Sequence, residues 1–204
     1  MAHHEQRTYL THHSMHPPVN KFFGFGGEGP LKVLEVGSYD INGSCRDFFN
    51  PDKQYEYIGC DVAEGPCVDV VSPAHLLTYE DGYFDFVISC ECFEHDMHCE
   101  NTLLNIVRML APKGCFLFSC ATTGRAEHGT PRTTPQDSPA TQSVSAEWSS
   151  YYKNLTEEDI RDVLDVDDIF SQYAFSVNTR PKLWWKRIFR RRASADLYFY
   201  GVKK

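Results

Sequence analysis

A chain of 204 residues that is 42% hydrophobic and 24% charged can fill one full α/β core but not two comfortable ones. Its formal charge of −8 excludes a protein built as a whole to coat nucleic acid, and no apolar run reaches the roughly 18–20 residues that span a bilayer. One stretch departs from that balance: RPKLWWKRIFRRR, Arg180 to Arg192, has seven basic residues and no acidic one, which leaves −15 on the rest of the chain.

Residues 1–20 are polar and rich in histidine (His3, His4, His12, His13, His16), without the apolar middle of a signal peptide. With the glycine-rich approach Gly24–Pro30 they read as an N-terminal arm over residues 1–30. Eight cysteines in a chain without a secretory signal read as reduced thiols, so the expected location is the cytoplasm.

Leu31–Val36 is a short buried strand. Ser44–Phe49 opens a helix that Pro51-Asp52 stops. Tyr55–Cys60 is a second strand ending in Asp61, and Cys67–Val71 a third. The gap between these two is too short for a normal crossover helix. Tyr83–Cys90 is a fourth strand, Asn101–Pro112 has helical spacing, and Cys115–Cys120 is a fifth strand. Residues 121–150 are rich in Thr, Ser and Pro and read as a long loop, of the kind that serves as a lid or binding loop. A helix follows, with Thr156 as N-cap and Glu157, Glu158 and Asp159 in its first turn. Phe170–Val177 and Asp196–Val202 are the last strands, with the basic aromatic stretch between them. Strands alternating with helices predict a doubly wound, mostly parallel sheet.

The stretch VLEVGSYDINGS, Val33 to Ser44, carries the first chemical signal. A parallel strand delivers its C-terminal end to the ligand edge of the sheet. Glu35 sits there, and Gly37 allows close approach of a ligand. Asp61 ends the next strand, where an acid accepts hydrogen bonds from two ribose hydroxyls. A dinucleotide loop has G-x-G-x-x-G, because a pyrophosphate needs bare backbone. Here Tyr39 and Ile41 stand where glycines would help, and Glu35, Asp40 and Asp61 would repel a pyrophosphate. The same acids attract a cationic sulfonium.

VLEVGSYDINGS, YIGCDV, FDFVISCECFEHD and RMLAPKGCFLFS together resemble the successive motifs of class I S-adenosylmethionine-dependent methyltransferases, in the methyltransferase-domain group of type 11. The resemblance covers about residues 31–120. It implies a seven-stranded Rossmann-like sheet with an antiparallel last strand, within a single methyltransferase domain over residues 1–204. It implies S-adenosylmethionine as cofactor, with Glu35, Gly37 and Ser38 at the methionine end, Asp61 on the ribose and Val62 on the adenine. Cys90 and Glu91 would flank the methionine portion or the substrate. Many relatives place an acid after the third strand; here Pro73 stands in its place, so Ala74 backbone or His75 would meet the adenine.

Cys90, Cys92, His95, His98 and Cys99 crowd into ten residues, but C-x-C is not zinc spacing and FEH recurs in this family without metal, so no metal site is read there. His95 and His128 are the candidate bases, each with a useful pKa near neutrality, and Glu127 is the candidate orienter of His128. The expected reaction is methyl transfer to an oxygen or nitrogen of a small-molecule acceptor reached under the 121–150 segment. The alternative is a non-catalytic module of the same fold. The 180–194 stretch reads as a hairpin insertion whose aromatics pack on the domain. Its second reading is a contact with a membrane surface or an anionic substrate through Lys182, Lys186, Arg187, Arg190, Arg191 and Arg192. Nucleic acid is not an expected partner.

Overall fold

In a computed structural model, residues 30–49, 55–179 and 195–204 are described. The N-terminal arm and the 180–194 insertion expected from the sequence lie outside these residues, apart from Pro30. Seven strands form one sheet: β1 (Leu31–Val36), β2 (Tyr55–Asp61), β3 (Val70–Val71), β4 (Phe84–Cys90), β5 (Leu110–Ala121), β6 (Phe170–Thr179) and β7 (Ala195–Lys203). Their order is β3-β2-β1-β4-β5-β7-β6. The first five are parallel, and β7 runs antiparallel to both β5 and β6. This is the α/β, mostly parallel sheet with an antiparallel last strand that the sequence predicts.

Alternation along the strands divides the core. Leu34, Val36, Val87, Phe116, Phe118 and Phe199 face one side, with Leu103 and Ile106 of helix α1 (Cys99–Met109) and Ile160 of α4 (Glu157–Val163). Val33, Phe86, Ile88, Cys115 and Leu117 face the other, against Cys45 and Phe49. Among the described residues no helix is long and apolar enough to cross a membrane. All eight cysteines are free thiols.

Four elements differ from the sequence reading. The helix expected at Ser44–Phe49 is one 3-10 turn, Cys45–Phe48, started by Ser44 Oγ accepting the Arg46 N–H at 3.1 Å. Strand β3 keeps only two residues, because Cys67 takes a positive φ of 65° and the Asp69 carboxylate captures the Gly59 N–H at 2.7 Å. The crossover helix stops at Met109 and not at Pro112, since Leu110 already pairs with Phe84 across an irregular register.

The fourth difference is the 121–150 segment, which is not a featureless loop. It holds a 3-10 turn at Pro135–Asp137 and two helices, α2 (Pro139–Val144) and α3 (Ala146–Ser150). Its abundant hydroxyls close its turns: Ser145 Oγ accepts the Trp148 N–H, and Ser138, Thr141, Ser143 and Ser149 make local bonds. After it come α4 and a single turn, α5 (Val166–Ile169). Thr156 caps α4, as its sequence predicts, and Asp159 completes a full capping box.

Candidate active site

In-register pairing sets the site. Glu35 lies opposite Gly59 and Ile88, and Cys90 opposite Ser119, so β1, β2, β4 and β5 end together at one sheet edge. Strand order reverses between β1 and β4, which opens a crevice there. A cleft enclosing about 920 Å³, part of it open to solvent, occupies this edge. That is the size of a small-molecule or cofactor site.

The β1–β2 side of the cleft is a tight backbone construction. The N–H groups of Gly37 and Ser38 both donate to the Cys60 carbonyl, at 2.9 and 3.1 Å. Gly37 has a φ of 79°, and a Cβ there would lie 2.5 Å from that of Cys92. Glycine is therefore required by conformation and by Cys92 behind it, before any ligand is considered. Asp40 Oδ1 accepts the Gly43 N–H at 2.6 Å and rounds the loop. Tyr39 lies over Gly65, where a Cβ would sit 2.1 Å from the ring.

Glu35 and Asp61 have unlike roles. Glu35 is buried, with Oε1 accepting the Cys45 N–H at 3.3 Å and Oε2 accepting the Tyr57 hydroxyl at 2.9 Å. Burial raises its pKa against the pull of those bonds. Both its oxygens are engaged within the protein. Asp61 accepts the Tyr39 and Val62 N–H groups, at 3.0 and 2.7 Å. Burial raises its pKa as well, opposed by those two bonds. A carboxylate has about four lone-pair sites, so Asp61, which unlike the buried Glu35 is partly exposed, keeps acceptor capacity toward the cleft. Ser38 lines the cleft and its Oγ is buried with no hydrogen-bond partner among the described residues.

All eight expected cofactor residues, Glu35, Gly37, Ser38, Asp61, Val62, Ala74, Cys90 and Glu91, line this one cleft, and so does His95. His128 does not line it, but its ring lies 5.1 Å from that of His95. His75 is absent from the wall and packs on His98 at 4.3 Å. The Ala74 carbonyl is taken by the Asn105 side chain at 2.8 Å. Glu127 does not orient His128: it binds Thr130 and Arg132, and the Ala126 carbonyl lies 3.2 Å from His128 Nδ1 instead. From the 121–150 segment, Asp137, Ser138, Ala140, Thr141 and Trp148 close the cleft.

The β4–β5 side is a buried ionic assembly. Glu91 follows β4 with a φ of 54°, a conformation costly for a residue with a Cβ and concentrated at functional sites. Arg125, largely buried, bridges Glu91 at 3.0 Å and Asp196 of β7. Glu94 is fully buried, and burial together with the Glu91 charge pushes its pKa up to about 8. Burial, reinforced by His128, pushes His95 down to about 3, so its imidazole is neutral. His128 is also lowered, by burial and then by Arg125. Tyr152 packs against both rings, at 5.4 and 5.1 Å.

Arg125, Tyr152 and the ring of Trp148 are the residues that sequence reading missed. Trp148 had a signal, as a lone large aromatic in a polar stretch. Arg125 and Tyr152 had none, because their partners are distant in sequence.

Residues 38–118 match the family described as methyltransferase domain. Among solved structures, a 1,6-didemethyltoxoflavin N1-methyltransferase from Burkholderia thailandensis, with its substrate and S-adenosylhomocysteine bound, is 16% identical. It aligns over 100% of this chain and 84% of its own, with a TM-score of 0.57. The YcgJ protein of Bacillus subtilis is 13% identical over 95% of this chain and 99% of its own, with a TM-score of 0.56. A phosphoethanolamine N-methyltransferase from Haemonchus contortus, bound to phosphomonomethylethanolamine and S-adenosylhomocysteine, is 16% identical over 90% of this chain, with a TM-score of 0.54. The chain spans only 51% of that enzyme's length. A comparison with curated proteins finds no match by sequence. The matched stretch is thus similar to the methyltransferase-domain family, and the seven-stranded sheet around it has the same fold as these solved methyltransferase structures.

Proposed function

We propose that the chain, as a single methyltransferase domain, moves a methyl group from S-adenosylmethionine to an oxygen or nitrogen of a small acceptor that is neutral or cationic. One observation carries this reading. Among the described residues the cleft wall holds six carboxylates (Glu35, Asp40, Asp61, Glu91, Asp96 and Asp137) and no lysine or arginine. Such a field favours a sulfonium bearing an ammonium group and opposes a pyrophosphate or a phosphorylated acceptor.

The cofactor, when bound, supplies a methyl group on a positively charged sulfur. Asp61, with acceptor capacity left after its two backbone bonds, would hold the ribose hydroxyls. Ser38, with its unpartnered hydroxyl, and Gly37 would meet the methionine end. Val62 and Ala74 would pack at the adenine, and Cys90 and Glu91 would lie toward the acceptor. Asp137–Thr141 and Trp148 line the cleft and would narrow it around bound cofactor and acceptor, so positioning and partial desolvation would supply most of the acceleration. His95, which lines the cleft but whose pKa of about 3 makes it a weak base, would orient the acceptor, and His128, ring to ring with it at 5.1 Å, would take the acceptor proton.

A screen of amines, phenols and sugar hydroxyls, read by release of S-adenosylhomocysteine, tests the proposal. Turnover with an uncharged or cationic acceptor supports it. Turnover confined to phosphorylated acceptors would contradict the charge argument.

A further inference from the structure

Glu94 has no evident structural reason to be where it is. It is 0% exposed, and among the described residues neither carboxylate oxygen finds a hydrogen-bond partner of ordinary length and angle. The nearby N–H groups of Glu94 itself and Ala121 favour its charged form only weakly against burial. The adjacent cation, Arg125, is already bound to Glu91 and Asp196. Among the described residues an ionised Glu94 thus has only these distant or shared partners, and a protonated Glu94 has no acceptor within hydrogen-bond distance of its O–H. A buried polar group left this way costs about 1–3 kcal/mol, and more if charged.

Two imidazoles face the same carboxylate. One ligand atom from each of Glu94, His95 and His128 lies within 4.8 Å of the others. His128 Nε2 is 3.9 Å from Glu94 Oε1. On the far side of that ring, Nδ1 lies 3.2 Å from the Ala126 carbonyl. A proton on Nδ1 donates to that carbonyl and leaves the Nε2 lone pair directed at Glu94. Metal-bound histidines are oriented by this kind of outer bond. Tyr152 steadies the same carbonyl, its hydroxyl donating to Ala126 O at 3.3 Å. His95 Nδ1 is buried and without a partner among the described residues.

From these contacts we propose that Glu94, His95 and His128 bind one divalent transition-metal ion. Two imidazoles and one carboxylate suit a borderline ion such as Zn²⁺, Mn²⁺ or Co²⁺ better than Ca²⁺. Donor atoms around such an ion stand about 3–4 Å apart, so the three groups need move by less than about 1 Å. Three protein ligands leave a position open, as in catalytic sites. His95 belongs both to this cluster and to the cleft wall, so the open position would be filled from the cleft, by water or an acceptor hydroxyl. With both imidazoles on the ion, neither serves as a base; the ion instead acidifies that hydroxyl, whose proton passes to solvent. The sequence pattern of Cys90, Cys92, His98 and Cys99 is not this site: His128 joins from 33 positions beyond His95.

The role toward an acceptor rests on the methyl-transfer reading; ion binding does not, and the two are measured separately. Chelator-treated full-length protein is titrated with CoCl₂ and followed by visible absorption, then with ZnCl₂ and MnCl₂ by calorimetry. The expected result is one ion per chain, with affinity reduced at least tenfold in Glu94→Gln and in His128→Ala. His128 is the safer substitution, because its side chain is partly exposed. Both variants should keep the melting shift given by S-adenosylhomocysteine, which reports an intact fold and cofactor side. Absence of binding to the native chain overturns the proposal. So does an unchanged Co²⁺ spectrum and affinity in both variants, because the ion would then sit on other histidines, such as those of residues 1–20.

Discussion

The two sides of the cleft meet at its floor but come from very different distances along the chain. On the β1–β2 side, Asp61 and Tyr39 bond across 22 positions, and every candidate cofactor ligand lies at a strand end or in the loop after it. On the β4–β5 side, Arg125 reaches Asp196 across 71 positions, and His95 meets His128 and Tyr152 from the segment between β5 and α4. The first side is backbone shaped by glycine and carboxylate. The second is a buried charge network. A short motif can encode the first, whereas the second exists only once the sheet has closed with β7 beside β5.

The contrast is most exposed to test at Arg125. Removing it leaves Glu91 and Asp196 buried without their shared cation. Breaking such a pair costs about 3–5 kcal/mol, so Arg125→Ala should lower Tm by about 10 °C in a thermal melt. A loss under about 2 °C would show that this side is not held by its charges. Next comes Asp61→Ala, which should weaken S-adenosylhomocysteine binding about 100-fold by calorimetry, equivalent to about 2.7 kcal/mol. Asp61→Asn keeps part of the acceptor set and should fall between. Equal affinities for all three would remove Asp61 from the cofactor site.

Glycine substitutions separate conformation from contact. Gly37→Ala combines a φ of 79° with the collision against Cys92 and should cost about 1–3 kcal/mol, or roughly 2–10 °C in Tm. Gly43→Ala has a φ of 118° but meets no atom within 4 Å, so its loss should be smaller. The reverse order would mean that Cys92 yields easily.

The smallest effect expected is at Glu35. Its folded pKa is raised above the ordinary carboxylate value, so its stabilising contribution is complete below that value and is lost as pH rises through the folded pKa. Glu35→Gln should flatten that part of the stability–pH curve and leave the protein at least as stable at pH 8. It should change S-adenosylhomocysteine affinity less than tenfold, because Glu35 is buried and turned to Cys45 and Tyr57, whereas Asp61 is partly exposed. A larger loss would return Glu35 to the role of a direct ligand attractor.

These residues also mark how far the sequence could be read. Most of the strands and the edge at which they end were legible because buried parallel strands are continuous apolar runs, each ending in a polar or glycine residue, whereas their order across the sheet was not read from the sequence. The reason for Glu35 was not legible, since Tyr57 and Cys45 reach it through strand pairing and a 3-10 turn. The 121–150 segment was misread as loop because its helices are short and held by hydroxyl caps, which lack apolar periodicity. Glu94 stood in view within CECFEHD, yet nothing local shows that it is sealed from solvent beside two imidazoles.

Calorimetry of the native chain with S-adenosylhomocysteine and, separately, with NAD tests the central claim most directly. The expected result is one site for S-adenosylhomocysteine and no heat from NAD, because the only charged side chains among the described lining residues are carboxylates. Binding of NAD, or no binding of S-adenosylhomocysteine, would contradict it.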